Sequence, residues 1–250
     1  MIDDEVDELI KRSESELNAF NSDDELISEI DENVFFRKNS VNLVCGARGS
    51  GKTHCVMREI LKCLMLDAAP YTQLFYITSK YSDDTVKKLQ PLLEKYIQFN
   101  WVETKDALQL IQALEYGKAN LDNEREFKKC LNAEHLPPDV IPHSILVLDD
   151  CIGIFNKTDE LARKLYQTRQ ARITAFLLLQ DVNGLNCSMK ANIDSLVLFG
   201  GFSKHKFNML LYQLPPTQNF TFELYAQLTK EDYIIIDFAS NTFNIHIRTT

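Results

Sequence analysis

The residues equipped for chemistry begin at Gly46-Ala47-Arg48-Gly49-Ser50-Gly51-Lys52-Thr53, which fits G-x-x-x-x-G-K-[ST] in full. Glycines at 46, 49 and 51 let backbone N–H groups turn inward around phosphate oxygens, where a side chain would collide or force an unfavourable φ. Lys52 is then expected to meet the β and γ phosphates of ATP, and the Thr53 hydroxyl to ligate Mg²⁺. A second cluster, Asp149-Asp150, ends the apolar run Ile145-Leu-Val-Leu148 and resembles a Walker B strand. Asp149 is read as the carboxylate that holds Mg²⁺ through its water shell. A switch or simple binder needs no more than that, whereas hydrolysis profits from a base that orients the attacking water, and Asp150 is placed to be that base.

Three further groups stand near this pair in sequence. Gln180 ends the apolar run Ala175–Leu179 and is either a turn residue or a sensor of the γ-phosphate. Arg163, Arg169 and Arg172 lie on a helix leading into that run, either as a solvated face or as arginines that reach a phosphate in a neighbouring subunit. Gly200-Gly201-Phe-Ser-Lys204-His205-Lys206 sets three basic groups behind a glycine pair, to touch phosphate or DNA or to form an ordinary polar loop.

The elements that must position these residues follow from the apolar runs VNLVC (41–45), QLFYIT (73–78), ILVLD (145–149), AFLLLQ (175–180) and SLVLFG (195–200). Continuous rather than alternating hydrophobicity predicts strands covered on both faces, hence a largely parallel sheet flanked by helices. The cradle sits between the first run and a helix at His54–Leu66, the strand-loop-helix setting it requires. YIIIDF (233–238) and FNIHIR (243–248) flank Ser240-Asn241 and read as a terminal β-hairpin. Residues 84–135 read as mostly helical, with a short strand around Ile97 to Val102.

The chain has 250 residues and a net charge of −9, but the acidity is local. Of its 36 acidic and 27 basic residues, 13 acids and only Lys11 and Arg12 fall in 1–32, leaving 23 acids against 25 bases elsewhere. Residues 1–35 therefore read as an acidic arm, helical or disordered, and 36–250 as one domain whose charge permits a basic face for nucleic acid. Six scattered cysteines (Cys45, Cys55, Cys63, Cys130, Cys151, Cys187) form no C-x-x-C pair and are expected as reduced thiols in a cytosolic compartment. No apolar run approaches the roughly 18 residues of a membrane helix, so no membrane partner is expected.

With these residues in place, the chain resembles the FtsK-HerA class of P-loop ATPases and, within it, the poxvirus-type DNA-packaging ATPases of large and medium double-stranded DNA viruses and virophages. The resemblance covers about residues 38–248. It rests on Gly46 to Thr53, LFYIT with Tyr81 beyond it, ILVLDD, TRQARITAFLLLQD, KANIDSLVLFGGFSKHKFNMLLYQLP and the closing β-hairpin. It implies a RecA-like α/β fold of the additional-strand, catalytic-acid type, with the Gln180 strand between the cradle strand and the acid strand. It also implies Gln180 as the sensor, and Arg169, in Thr168-Arg169-Gln170, as the arginine finger with Arg172 as the alternative. The implied activity is Mg²⁺-dependent ATP hydrolysis in an oligomeric ring that packages double-stranded DNA. The implied partners are double-stranded DNA, further copies of the chain, and capsid or other virion proteins. The implied setting is the host cytoplasm, at the viral factory, with association to the virion. Two other functions fit the motifs alone: a P-loop kinase for a small phosphoryl acceptor, and a weakly hydrolysing ATP-binding scaffold that docks through its acidic arm.

Overall fold

The computed structural model describes residues 36–65, 71–79, 83–119, 143–151, 172–182, 185, 187–214, 220–238 and 242–246. The acidic arm, Tyr81 and the arginines at 163 and 169 lie outside the described residues. In chain order the strands are Val41–Cys45 (β1), Tyr71–Thr78 (β2), Gln98–Glu103 (β3), His143–Asp149 (β4), Ile173–Leu179 (β5), Ser195–Phe199 (β6), Tyr233–Asp237 (β7) and Thr242–His246 (β8). They form one sheet in the order β3-β2-β4-β5-β1-β6-β7-β8. The six strands from β3 to β6 run parallel, and β7 and β8 add antiparallel to that edge. Each apolar run is thus a strand, the short strand near 97–102 included, and the terminal hairpin forms. The Gln180 strand, β5, lies between cradle strand β1 and acid strand β4.

The unbroken hydrophobicity of β1, β5 and β6 is explained by cover on both faces, since these strands are buried at every residue. Alternate side chains (Leu43, Cys45, Leu146, Leu148, Ala175, Leu177, Leu196, Leu198) join one core cluster. That cluster also takes Ala107, Ile111 and Leu114 from helix Ala107–Ala119 (α3), and Phe207 and Leu210 from helix Lys204–Tyr212 (α5). The other face carries helices Lys52–Met65 (α1) and Asp84–Leu93 (α2), which pack on each other, with α1 against β5. The buried apolar side chains of α1 (Cys55, Val56, Met57, Ile60, Leu61, Cys63, Leu64) recur with helical spacing, the stripe a covering helix needs, and Glu59 is buried beside them. Asp83 starts α2 by accepting the Thr85 and Val86 N–H groups on Oδ1 at 2.9 and 3.3 Å. Two four-residue helices, Cys187–Lys190 (α4) and Phe222–Tyr225 (α6), flank β6 and α5 in sequence. Among the described residues no helix is long and apolar enough to cross a membrane.

Candidate functional site

The cradle is a backbone structure that only glycine permits at its first position. At Gly46 a Cβ would stand 2.6 Å from Ser50 Oγ and 2.7 Å from the Phe199 Cβ, closer than atoms approach. Gly49 and Gly51 have φ of 73° and 91°, the left-handed region where a side chain is strained. Helix α1 then begins at Lys52, two residues earlier than the sequence predicts, and its first turn carries no acidic side chain. The partial positive charge of its N-terminus is left for an external anion.

Lys52 lies back over the loop, its Nζ donating to the carbonyls of Gly46 at 2.8 Å and Ala47 at 3.0 Å. Burial lowers its pKa from the ordinary lysine value, and the Asp149 charge works in the opposite direction. Arg48 is exposed.

The acid pair reaches the cradle across β5. Consecutive carbonyls at the end of that strand hold both neighbours: Leu178 O accepts Asp150 N at 3.3 Å and Leu179 O accepts Gly46 N at 3.1 Å. Thr53 Oγ1 donates to Asp149 Oδ2 at 3.0 Å, so the hydroxyl and the carboxylate assigned to Mg²⁺ touch. One hydroxyl and one carboxylate are hard oxygen donors of the kind Mg²⁺ takes while keeping several waters, so this donor set fits the ion. Among the described residues no group of three or more His, Cys, Asp or Glu is placed to hold any other metal. Burial raises the Asp149 pKa, and hydrogen bonds from Tyr76 and Thr53 pull it down.

Asp150 follows the strand in a left-handed conformation, φ 55°, a region that aspartate enters more readily than most residues. Its Oδ1 accepts the Gln180 Nε2 at 3.3 Å. The predicted base and the predicted sensor are therefore adjacent, and both sit at the carboxyl end of the sheet with the cradle. Arg172 is at the other end of β5, where its carbonyl accepts Ser144 N at 3.1 Å. A seven-residue strand of about 3.3 Å per residue separates it from Gln180, so it does not reach the cradle of its own chain. Arg169 lies outside the described residues.

Two residues at the site escaped the sequence reading. Tyr76 on β2 donates its phenolic proton to Asp149 Oδ2 at 2.5 Å, from a side chain with no exposed surface. Its strand was legible, but its partner depends on β2 pairing with β4, which places Thr78 opposite Asp149. Lys206 was noted only as one of three basic groups in a loop. Those groups instead open α5, whose N-cap is Ser203, and the Lys206 Nζ donates to Gln180 O at 3.0 Å while lying 4.3 Å from the Phe202 ring centroid. A cation thus holds the carbonyl that β5 leaves unpaired at its end.

Neither a family model nor a curated protein sequence matches the chain. Among solved structures, the DNA-packaging ATPase from Sulfolobus Turreted Icosahedral Virus is similar at TM-score 0.56 and 15% identity, over 86% of this chain and 100% of that one. The genome packaging NTPase from Sulfolobus turreted icosahedral virus 2, solved in complex with ATP-gammaS, is similar at TM-score 0.52 and 18% identity, over 83% of this chain and 96% of that one. The cytoplasmic domain of the Type VII secretion ATPase EccC from Thermomonospora curvata gives TM-score 0.55 and 16% identity over 83% of this chain, which spans 25% of that larger protein. At such identities the likeness is one of fold, and the fold is the RecA-like P-loop architecture.

Proposed function

We propose that the chain is an Mg²⁺-dependent ATPase that works as a ring of identical copies and drives double-stranded viral DNA into a capsid. The observation that supports hydrolysis is the junction at the end of β5. There Asp149 meets Thr53 at 3.0 Å and Asp150 meets Gln180 at 3.3 Å, so a metal pair and a base pair flank one phosphate cradle. The packaging role draws its support from the sequence resemblance and from the fold shared with genome-packaging ATPases.

On this reading Lys52 exchanges its two loop carbonyls for the β and γ phosphates. Thr53 and Asp149 would hold Mg²⁺, which would supply positive charge to offset the charge of the transferring phosphoryl group. Asp150 takes the proton of the attacking water, a contribution of about 10²–10⁴-fold in rate. Gln180, bonded to Asp150 and gripped through its carbonyl by Lys206, reports loss of the γ-phosphate to α5. Arg169 from a neighbouring copy supplies charge to the transferring phosphoryl group. The partners are double-stranded DNA and capsid or other virion proteins, met in the host cytoplasm during virion assembly.

The test is the ATPase rate of purified protein with and without linear duplex DNA, run beside Lys52→Ala. Turnover that rises with DNA and disappears in Lys52→Ala supports the motor. Hydrolysis indifferent to DNA, from a protein that forms no ring by electron microscopy, overturns it.

A further inference from the structure

We infer that Lys230 is a nucleotide ligand, its ammonium meeting the polyphosphate at the mouth of the cradle. The inference rests on the nucleotide-binding reading above and adds a residue outside every motif that led to it.

Lys230 precedes β7, far in sequence from the phosphate loop, yet its Nζ lies 3.5 Å from the point a Gly49 Cβ would occupy. Its stem runs along Gly201, where an added Cβ would stand 3.8 Å from the Lys230 Cα and Cβ, and where φ is 91°. Two glycines in left-handed conformations therefore strip side chains from the surfaces beside this one lysine.

The backbone beneath it has no slack. At Gly200 a Cβ would fall 1.9 Å from Thr229 O, so the segment before Lys230 is pressed against the end of β6. Gly200 N donates to Asp232 O at 2.9 Å, and the buried Asp232 carboxylate accepts Thr229 N at 2.7 Å. Bonds on both sides of Lys230 fix where its side chain starts, which lowers the ordering cost of using it as a ligand.

The electrostatics agree with that placement. Two ammonium groups, one bonded to the Gly46 and Ala47 carbonyls and one at Gly49, thus converge on a loop of backbone N–H groups. Like charges brought together in this way disfavour one another until a multiply charged anion lies between them, and a nucleoside di- or triphosphate is such an anion. An exposed lysine without this role would gain more by swinging into solvent than by lying over a glycine beside a second lysine.

The test is titration of ATPγS, ADP and AMP into the full chain and into Lys230→Met, Lys230→Arg, Lys52→Ala and Lys95→Met. Lys95 is exposed and lies before the start of β3, at the opposite end of the sheet from the cradle. Lys230→Met is expected to weaken ATPγS and ADP about 5-fold at low salt, with a smaller effect on AMP and a shallower salt dependence. Lys230→Arg is expected to stay within about twofold of wild type, as is Lys95→Met. If Lys230→Met binds ATPγS and ADP as the wild type does while Lys52→Ala does not, the role of Lys230 is wrong and the cradle stands. If Lys52→Ala also binds normally, the cradle reading fails with it. Thermal melts of each variant separate loss of ligand contacts from loss of fold.

Discussion

Removing the Tyr76 hydroxyl tests whether the carboxylate proposed to hold Mg²⁺ is kept in place by the sheet. Tyr76→Phe keeps the buried ring and its packing, at 5.0 Å edge-on to Trp101 and 6.4 Å stacked on Phe99. What it loses is one hydrogen bond, 2.5 Å, from a buried hydroxyl to a half-buried carboxylate. Burial and the neighbouring Asp149 raise the Tyr76 pKa far above the ordinary tyrosine value, so the phenol is a donor at any working pH. A hydrogen bond to a charged group contributes about 1.5–3 kcal/mol, against about 0.5–1.5 for a neutral pair. The same strand supplies the neutral comparison, because the Tyr71 hydroxyl meets Thr174 Oγ1 at 2.7 Å and both are buried. Tyr76→Phe should therefore destabilise the protein by about 1 kcal/mol more than Tyr71→Phe in urea unfolding. Trp101, the one tryptophan of the chain, reports both from beside Tyr76. Tyr76→Phe should also raise the Mg²⁺ concentration that half-saturates ATP turnover, which Tyr71→Phe leaves alone. Equal destabilisation by the two variants, with an unchanged Mg²⁺ requirement, would refute the anchoring role.

Asp150→Asn should keep its fold and its ATPγS affinity, since asparagine also tolerates φ near 55°, and should lose about 10²-fold or more in turnover. Asp150→Ala, lacking a polar group to bond locally, should lose in addition about 1 kcal/mol in a thermal melt. Gly46→Ala drives a methyl group to 2.6 Å from Ser50 Oγ and 2.7 Å from the Phe199 Cβ, so nucleotide titration should show affinity falling more than about tenfold, with about 1–3 kcal/mol lost in stability. Cys45, Cys55 and Cys151 are buried and their pKa values are pushed up to about 12 by desolvation. At pH 8 only on the order of one such thiol in 10⁴ is ionised, so peptide mapping should find all three unalkylated in native protein and alkylated in urea. Rapid native labelling of any of them would show that the strand end at Cys45 or Cys151, or the first turns of α1 at Cys55, opens to solvent.

The strands were legible because a strand buried on both faces leaves a continuous apolar run, as in LVLFG and FLLL, and the cradle because its glycines are needed wherever it occurs. Their lateral order was not legible from spacing, since nothing in a parallel strand names its neighbour. That β5 lies between β1 and β4 came from the resemblance, and the pairing bears it out. The helix that carries Lys206 went unread for a physical reason, because only Phe207 and Leu210 of its nine residues are buried and so thin a stripe looks like a loop. Tyr76 and Lys230 act across strands and loops far apart in sequence, where periodicity carries no information. Their roles depend on register and on glycine-permitted backbone approach.

The two carbonyls at the end of β5 bear on how such a protein changes over time. Because Leu178 O holds Asp150 and Leu179 O holds Gly46, the spacing between the proposed base and the cradle is set by a single peptide unit of main chain. Main-chain bonds are indifferent to which apolar side chains the strand carries, so substitution can replace most of β5 without moving the two halves of the site apart. Two chains only 15% identical can accordingly share this fold. The change it cannot absorb is one residue inserted or deleted in β5, which would shift the two carbonyls together and turn every side chain of the strand to the opposite face.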